Sequence, residues 1–514
     1  MHRPHKDNTS LTQMNNNTES PPKSVAAIDL GSNSFHMKIA HVFDNELKVV
    51  DRLRESVQLA AGLDAKQHID SEAQERAIAC LSRFGERLRE VPSGSIRAVG
   101  TNTLRKARNS GELIDAMEQA LGHPIEIISG IEEARLIYLG VAHSLAADRN
   151  RRLVMDIGGG STELIIGEGF VPIRTESLYM GCISMTRKYF TDGAITRKAW
   201  KRAILAAEME LVPIEAEYRK LGWEVAIGAS GTIRAVAKII NKVSGSDEIT
   251  LEALQDLAGY VLNIGYISKL GITSGLSDER IQTLPGGLAV LLATFHSLGI
   301  KSMRISDGAL REGLLYNQLK RIRHEDVRSS SIKALASHYR VDDQQAQRVI
   351  VTALSFFDQV AKAWGLEDEN WSELLAWAGQ VYEIGIAIAH SQHQKHAAYI
   401  IEHADLAGFS HQEQKQLAIL IQAHRRKLPL AAFREFPAPQ SKPLLRLAIL
   451  LRLSVLLHRS RSPDKLPEII LNVQKKNIQL HFPENWLDEH ALSQADLTQE
   501  AEMLAEADYV LEFD

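Results

Sequence analysis

The strongest constraint on what this chain can fold into is a glycine turn that it carries twice. At Val154-Met-Asp-Ile-Gly-Gly-Gly-Ser-Thr-Glu-Leu164 two apolar runs meet at three consecutive glycines, and an acidic residue stands on each side of the turn. Without a Cβ, Gly158, Gly159 and Gly160 can take backbone angles closed to other residues, so main-chain N–H groups can converge on an anion. Asp156 and Glu163 are hard oxygen ligands of the kind a Mg²⁺ ion takes. Read alone, the stretch is an ordinary β-hairpin. The earlier run Ala27-Ile-Asp-Leu-Gly-Ser-Asn-Ser-Phe-His-Met37 weighs against that reading, because Asp29 falls on Asp156, Gly31 on Gly158, Ser34 on Ser161 and Met37 on Leu164 without a gap. Two units of one pattern, about a small domain apart, predict two related domains facing each other across a cleft with a phosphate chain between their turns.

The length of 514 residues is too great for one core and predicts three or four domains. A net charge of −5 means that a polyanion binder of this composition must gather its positive charge locally. Two cysteines, Cys80 and Cys182, make no disulfide framework and suit a reducing cytoplasm. No uninterrupted apolar run is long enough to span a bilayer, which leaves peripheral membrane attachment open. Residues 1–23, rich in Asn, Thr, Ser and Pro, read as a disordered leader.

Periodicity then places a helix over Ser71 to Arg89. Ile96 to Lys106 is a strand turning into a helix, whose N-terminus and Arg105 make a candidate anion site. In Ser129-Gly-Ile-Glu-Glu-Ala-Arg135, Ser129 and Glu132 have capping-box spacing, which leaves Glu133 unexplained. Ser230, Gly231 and Thr232 form a small-residue turn into a helix and can present N–H groups to a phosphate. From Arg321 to about Arg461 the pattern is helical. His390, His393 and His396 have tempting spacing there but lack a carboxylate or cysteine partner for a metal. The basic clusters His424-Arg-Arg-Lys427 and Arg459-Ser-Arg461 are candidates for guiding a polyanion. After Pro467, a hairpin through Lys475-Lys476, a helix and a last strand from Asp508 to Phe513 predict a small α+β unit.

The paired turns resemble the phosphate motifs of the actin, sugar-kinase and heat-shock-chaperone superfamily. Asp29-Leu-Gly-Ser-Asn-Ser-Phe-His-Met37 resembles the exopolyphosphatase and guanosine-pentaphosphatase family within it, as do Ile128 to Arg135, Ile227 to Thr232 and Asp307 to Gly313 in that order. The resemblance implies an α/β fold: two actin-like, ribonuclease-H-like α/β domains (24–136 and 137–320) around a cleft, an all-α HD-like domain (321–462) and a small α+β domain (463–514). The HD family's metal-binding His-Asp pair is Tyr382-Glu383 here, so no second metal site is expected. Ser32, Asn33, Ser34, Arg105, Ser161, Ser230 and Gly231 would bind phosphate with the three glycines, and Mg²⁺ would sit at Asp156 and Glu163. Glu133 would be the general base that takes a proton from the attacking water.

The implied reaction removes the terminal phosphate of inorganic polyphosphate, with guanosine pentaphosphate hydrolysis as the alternative. Gly160 and Asp307 favour polyphosphate, since relatives of the other kind tend to differ at both positions. The resemblance also implies a homodimer and no nucleic-acid partner. A non-catalytic polyphosphate or nucleotide sensor would not need Glu133, and no sugar-acceptor site for a kinase is evident.

Overall fold

The computed structural model describes residues 24–43, 46–64, 66–145, 150–322, 327–367 and 371–514. The expected leader and the middle of the charged stretch at 323–326 lie outside these residues.

The duplication extends from the turn to the whole sheet. In the first half, β1 (Ser24–Leu30), β2 (Ser34–Phe43), β3 (Glu46–Ser56), β4 (Ile96–Gly100) and β5 (Ile125–Ile127) assemble in the order β3-β2-β1-β4-β5. The first three form an antiparallel meander, and β4 and β5 add in parallel. The second half contains β6 (Arg151–Ile157), β7 (Thr162–Glu168), β8 (Val171–Leu178), β9 (Val225–Gly228), β10 (Ile249–Thr250) and β11 (Ser302–Ile305). Its order, β10-β11-β9-β6-β7-β8, repeats the meander-plus-parallel plan and adds β10 as an antiparallel edge. Both are the α/β domains of an actin-like fold.

The central strands are apolar on both faces because each face has its own core. Ala26, Ile28 and Leu30 point to the helices Ser71–Leu88 and Ser110–Leu121, whereas Val25 and Ala27 point to a core between the sheets. β6 divides likewise, with Leu153, Met155 and Ile157 in the second half's core and Val154 in the shared one. Helices cover such parallel strands on both sides, and period-2 alternation disappears.

Two helices, Gly130–Ser144 and Leu310–Ile322, fill the space between the sheets. They cross closely enough that a Cβ on Gly140 would lie 2.0 Å from the Ala309 carbonyl, and one on Gly313 would lie 1.8 Å from that of Leu136. This explains the glycines of Asp307-Gly-Ala-Leu-Arg-Glu-Gly313: any side chain there would push the helices apart.

Helices from Val327–His338 to Ala438–Leu457 form the third part of the chain, as the periodicity predicts. The α+β tail, β12 (Ile470–Gln474), β13 (Asn477–His481) and β14 (Val510–Phe513), shares a single hydrophobic core with those helices. Val349, Phe356 and Leu450 belong to the same cluster as Leu471, Leu480 and Leu511. The basic clusters are neutralised in part: Lys427 pairs with Glu506, Arg459 with Asp496, and Arg461 with Asp342 and Glu383. This weakens their expected role as a polyanion guide.

Candidate active site

Both glycine turns are held from behind. Gln58 and Ala60 donate their N–H groups to the carbonyls of Asn33 and Ser32, each at 2.8 Å. In the second turn Cys182 donates to the Gly158 carbonyl, and Ile183 and Ser184 donate to that of Gly159, at 2.9, 2.9 and 3.1 Å. A trans peptide sets its N–H opposite its C=O. The N–H groups of Asn33, Ser34, Gly159 and Gly160 therefore point away from these braces. Close approach also explains the glycines: a Cβ on Gly159 would meet Ser32 and Ile183 at 3.0 Å, and one on Gly160 would lie 2.0 Å from Asn102 Nδ2.

Register places the acidic residues. Asp156 faces Glu163 across β6 and β7, and the matching pair in the first half is Asp29 and His36. Glu163 is buried, and its carboxylate accepts from Ser177 Oγ at 2.9 Å and from the Ser161 hydroxyl. Ser161 thus supports the acidic wall as well as the turn. Burial and the Asp156 charge raise Glu163 to about 7. Asp29 and Asp156 reach the cleft surface, yet desolvation raises each to about 6, against Arg311 and Arg234 respectively.

Glu133 completes the group from the first turn of the helix Gly130–Ser144. Burial first, and then the Glu163 charge, hold its carboxyl well above the ordinary range, while Arg105 pulls it down. Its Oε2 lies 3.6 Å from Arg105 Nη1 and has no hydrogen-bond partner among the described residues. Arg105 Nη1 also donates to the Ile128 carbonyl at 2.7 Å, so it is fixed beside Glu133. The helix that carries Arg105, Asn102–Lys106, is five residues long with no side-chain cap; this corrects the expected helix-end anion site, because one turn has little dipole.

The expected capping box is half present. Ser129 Oγ accepts from the Glu132 N–H at 3.1 Å, but the Glu132 carboxylate turns inward. It takes Arg135 at 2.7 and 2.8 Å and the Gly408 N–H at 2.8 Å, and so joins the helical part to the first half. Ser230 caps the helix Gly231–Ser244, with its Oγ accepting from the Ile233 N–H at 3.1 Å, and the Arg280 guanidinium fills the space beside Gly231.

Asp156 and Glu163 fit the oxygen chemistry of Mg²⁺, and the mutual repulsion of Asp29, Asp156, Glu163 and Glu133 is what a cation would relieve. Among the described residues, however, no three Asp, Glu, His or Cys side chains form a closed metal cage. That suits Mg²⁺, which takes one or two carboxylates and completes its shell with water and phosphate oxygens. In the helical part, His393 and His424 are both buried with rings 5.3 Å apart, and Arg425 bonds His393.

The cationic side of the cleft was not singled out by the sequence. Arg54, Arg280, Arg311 and Lys38 crowd His36, and burial with these charges pushes its imidazole down to about 2. Arg311 lies within the stretch Asp307 to Gly313 and Arg234 two residues beyond Thr232, but their placement beside Asp29 and Asp156 appears only when the chain is folded. Glu279 and Arg280 open the helix Asp278–Leu298 with no sequence pattern to announce them. That helix is long and apolar enough to cross a membrane but lies in the second half's core.

Residues 38–322 match the Ppx/GppA phosphatase family and residues 327–501 match Ppx/GppA phosphatase, domain III. A guanosine-5'-triphosphate,3'-diphosphate pyrophosphatase of Aeromonas hydrophila is 40% identical over 93% of this chain and 96% of its own. One from Aeromonas salmonicida is 39% identical over the same shares. Among solved structures, an exopolyphosphatase from Cytophaga hutchinsonii is 24% identical with a TM-score of 0.53, over 58% of this chain and 98% of that one. The PPX-GPPA enzyme of Aquifex aeolicus is 25% identical with a TM-score of 0.50, over 58% and 99%. This chain belongs to the Ppx/GppA phosphatase family, whose members hydrolyse phosphoanhydride bonds.

Proposed function

We propose that this protein removes the terminal phosphate of guanosine 5′-triphosphate 3′-diphosphate, with Glu133 as general base. The observation that carries the chemistry is the buried Glu133 carboxyl, whose Oε2 has no hydrogen-bond partner among the described residues and only the Arg105 guanidinium, 3.6 Å away, beside it. A buried polar atom left unpaired costs about 1–3 kcal/mol, so its retention in the cleft calls for a function. Glu133 would take a proton from the water attacking the terminal phosphorus. Arg105 would hold the carboxyl in place and keep it ionisable. The two turns would fix the phosphates with main-chain N–H groups, and positioning does most of the work in phosphoryl transfer. A Mg²⁺ ion at Asp156 and Glu163 would neutralise phosphate charge.

The choice of substrate rests on the Aeromonas relatives, whose similarity extends over nearly the full length. They favour the guanosine compound over the inorganic polyphosphate that Gly160 and Asp307 suggest. Polyphosphate stays as the second reading on those two residues. Phosphate release from both substrates, measured side by side on purified protein with Mg²⁺, tests the order. The expected result is a higher kcat/KM for guanosine pentaphosphate; a higher value for polyphosphate reverses the assignment.

A further inference from the structure

The β2–β3 hairpin turns one polar face to the cleft. Register sets Ser34 opposite Ser56, His36 opposite Arg54 and Lys38 opposite Arg52. Four donors from this face and the first turn converge on one carboxylate of the other half, that of Glu279. Arg54 Nη2 reaches Glu279 Oε2 at 2.9 Å, and Oε1 takes Ser34 Oγ at 3.3 Å, Ser56 Oγ at 3.4 Å and the Asn33 side-chain amide. Two of these, Asn33 and Ser34, belong to the turn expected to hold phosphate. A phosphoryl group offers the same kind of acceptor oxygens to the same donors.

The surroundings also favour an anion. Lys38 is matched by Glu312, and Arg54 by Glu279. The buried Nε of Arg311 has no hydrogen-bond partner among the described residues. Arg280, next to Glu279, adds another positive charge near His36.

We propose that Asn33, Ser34, Arg54 and Ser56 form a further phosphate subsite of the cleft, and that Glu279 fills it until a substrate phosphate displaces the carboxylate. The proposal rests on the phosphoanhydride reading above. It makes Glu279 a built-in competitor that sets the affinity for polyphosphorylated substrates, and it makes Arg54 a substrate-binding residue. A strut that merely joined the halves would act in the opposite sense, since its loss would loosen the cleft and weaken binding.

Calorimetric titration of the full-length Glu133→Gln protein with Mg²⁺ and either inorganic tripolyphosphate or GTP separates the two, because this background is expected to slow turnover enough for binding to be read. Adding Glu279→Ala is expected to tighten binding roughly tenfold, the worth of one lost charge-assisted competitor. Arg54→Gln is expected to weaken it, and to abolish the gain from Glu279→Ala. Tightening toward tripolyphosphate assigns the subsite to any phosphate chain; tightening toward GTP alone assigns it to a nucleotide's phosphates. If the alanine variant does not fold, Glu279→Gln keeps a hydrogen-bonding contact, loses the charge and is expected to tighten binding in the same direction. Unchanged or weaker binding in the folded Glu279 variants overturns the proposal. Phosphate release by the wild-type protein tests the functional reading separately: hydrolysis without tightening removes only the subsite, and tightening without hydrolysis removes only the reaction.

Discussion

The two glycine turns share a backbone and differ in charge. Each joins the first two strands of a meander, and each has its carbonyls tied back by a following segment. At the cross-strand position beside the turn, however, the second half has Asp156 with Glu163, and the first has Asp29 with His36. Arg54 and Lys38 lie beyond His36 on the first half's hairpin, while Glu133 and Glu163 lie side by side on the acidic wall. The shared cradle thus carries His36 with Arg54 and Lys38 beside one turn and Asp156 with Glu163 beside the other, where Glu133 joins them. A phosphate chain with a Mg²⁺ ion has that same polarity, with bare oxygens on one side and metal on the other. His36, kept neutral by burial and then by its cationic neighbours, adds no charge of its own.

Substitutions can break this division of labour, and the largest effect is expected at Glu133. Glu133→Gln keeps size and reach but cannot accept a proton, so turnover should fall roughly 10²- to 10⁴-fold while substrate affinity holds or rises. Phosphate release and binding measured on the same folded protein would show it, and near-normal turnover would sink the base assignment. Its neighbour serves the opposite purpose. Glu132 is fully buried against Arg135 and the Gly408 N–H, so Glu132→Gln should cost about 3 kcal/mol of stability by leaving a buried arginine poorly matched. Denaturant unfolding measures this, with limited proteolysis reporting whether the helical part comes loose first. A loss of turnover with normal stability would show that the two glutamates had been assigned the wrong way round.

A direct contrast between the walls comes third in size. Asp156→Asn and Glu163→Gln should raise the Mg²⁺ concentration needed for half-maximal activity by at least about tenfold, since even outer partners of a metal are worth about 10- to 100-fold. Asp29→Asn, the matching change on the cationic wall, should move it less. Equal shifts in a Mg²⁺ titration would mean that the ion is shared by both walls.

What the sequence disclosed follows from how local each signal is. The paired turns, the helical third part and the hairpin at Lys475-Lys476 are written in contiguous residues, and each stands where the pattern put it. The reason for Gly308 and Gly313 was not legible, because it lies in the carbonyls of Leu136 and Gly140 on another helix. Glu132 misled for a related reason: the capping-box spacing competes with Arg135 one turn along the same helix, and the second partner of its carboxylate, the Gly408 N–H, becomes available only in the fold. Arg54, Glu279 and Arg280 come from strands and helices with no shared motif. Charge complementarity across a cleft is a property of the fold, and one sequence does not display it.

The smallest predicted effect is a pH dependence of stability that only the carboxylate cluster should produce. Asp29 and Asp156 at about 6 and Glu163 at about 7 all lie above their unfolded values near 4. Between these limits the folded protein binds more protons than the unfolded chain, so the stabilisation from this cluster is complete below about pH 4 and is lost as pH rises through 6 to 7. His393 and His424, pushed down to about 4 and 3 chiefly by burial, have the opposite sign and destabilise the fold as pH falls below about 6.5. A comparison with the Asp29→Asn, Asp156→Asn, Glu163→Gln triple variant cancels the histidines, because both proteins contain them. In metal-free buffer the variant should melt above the wild type at pH 8, and the gap should close toward pH 5. Added Mg²⁺ should narrow the gap at pH 8 by stabilising the wild type, since a cation relieves the same repulsion that protonation does. Parallel melting curves across the whole range, with no response to Mg²⁺, would show that these carboxylates are not strained against one another, and the case for a cation at this wall would go with them.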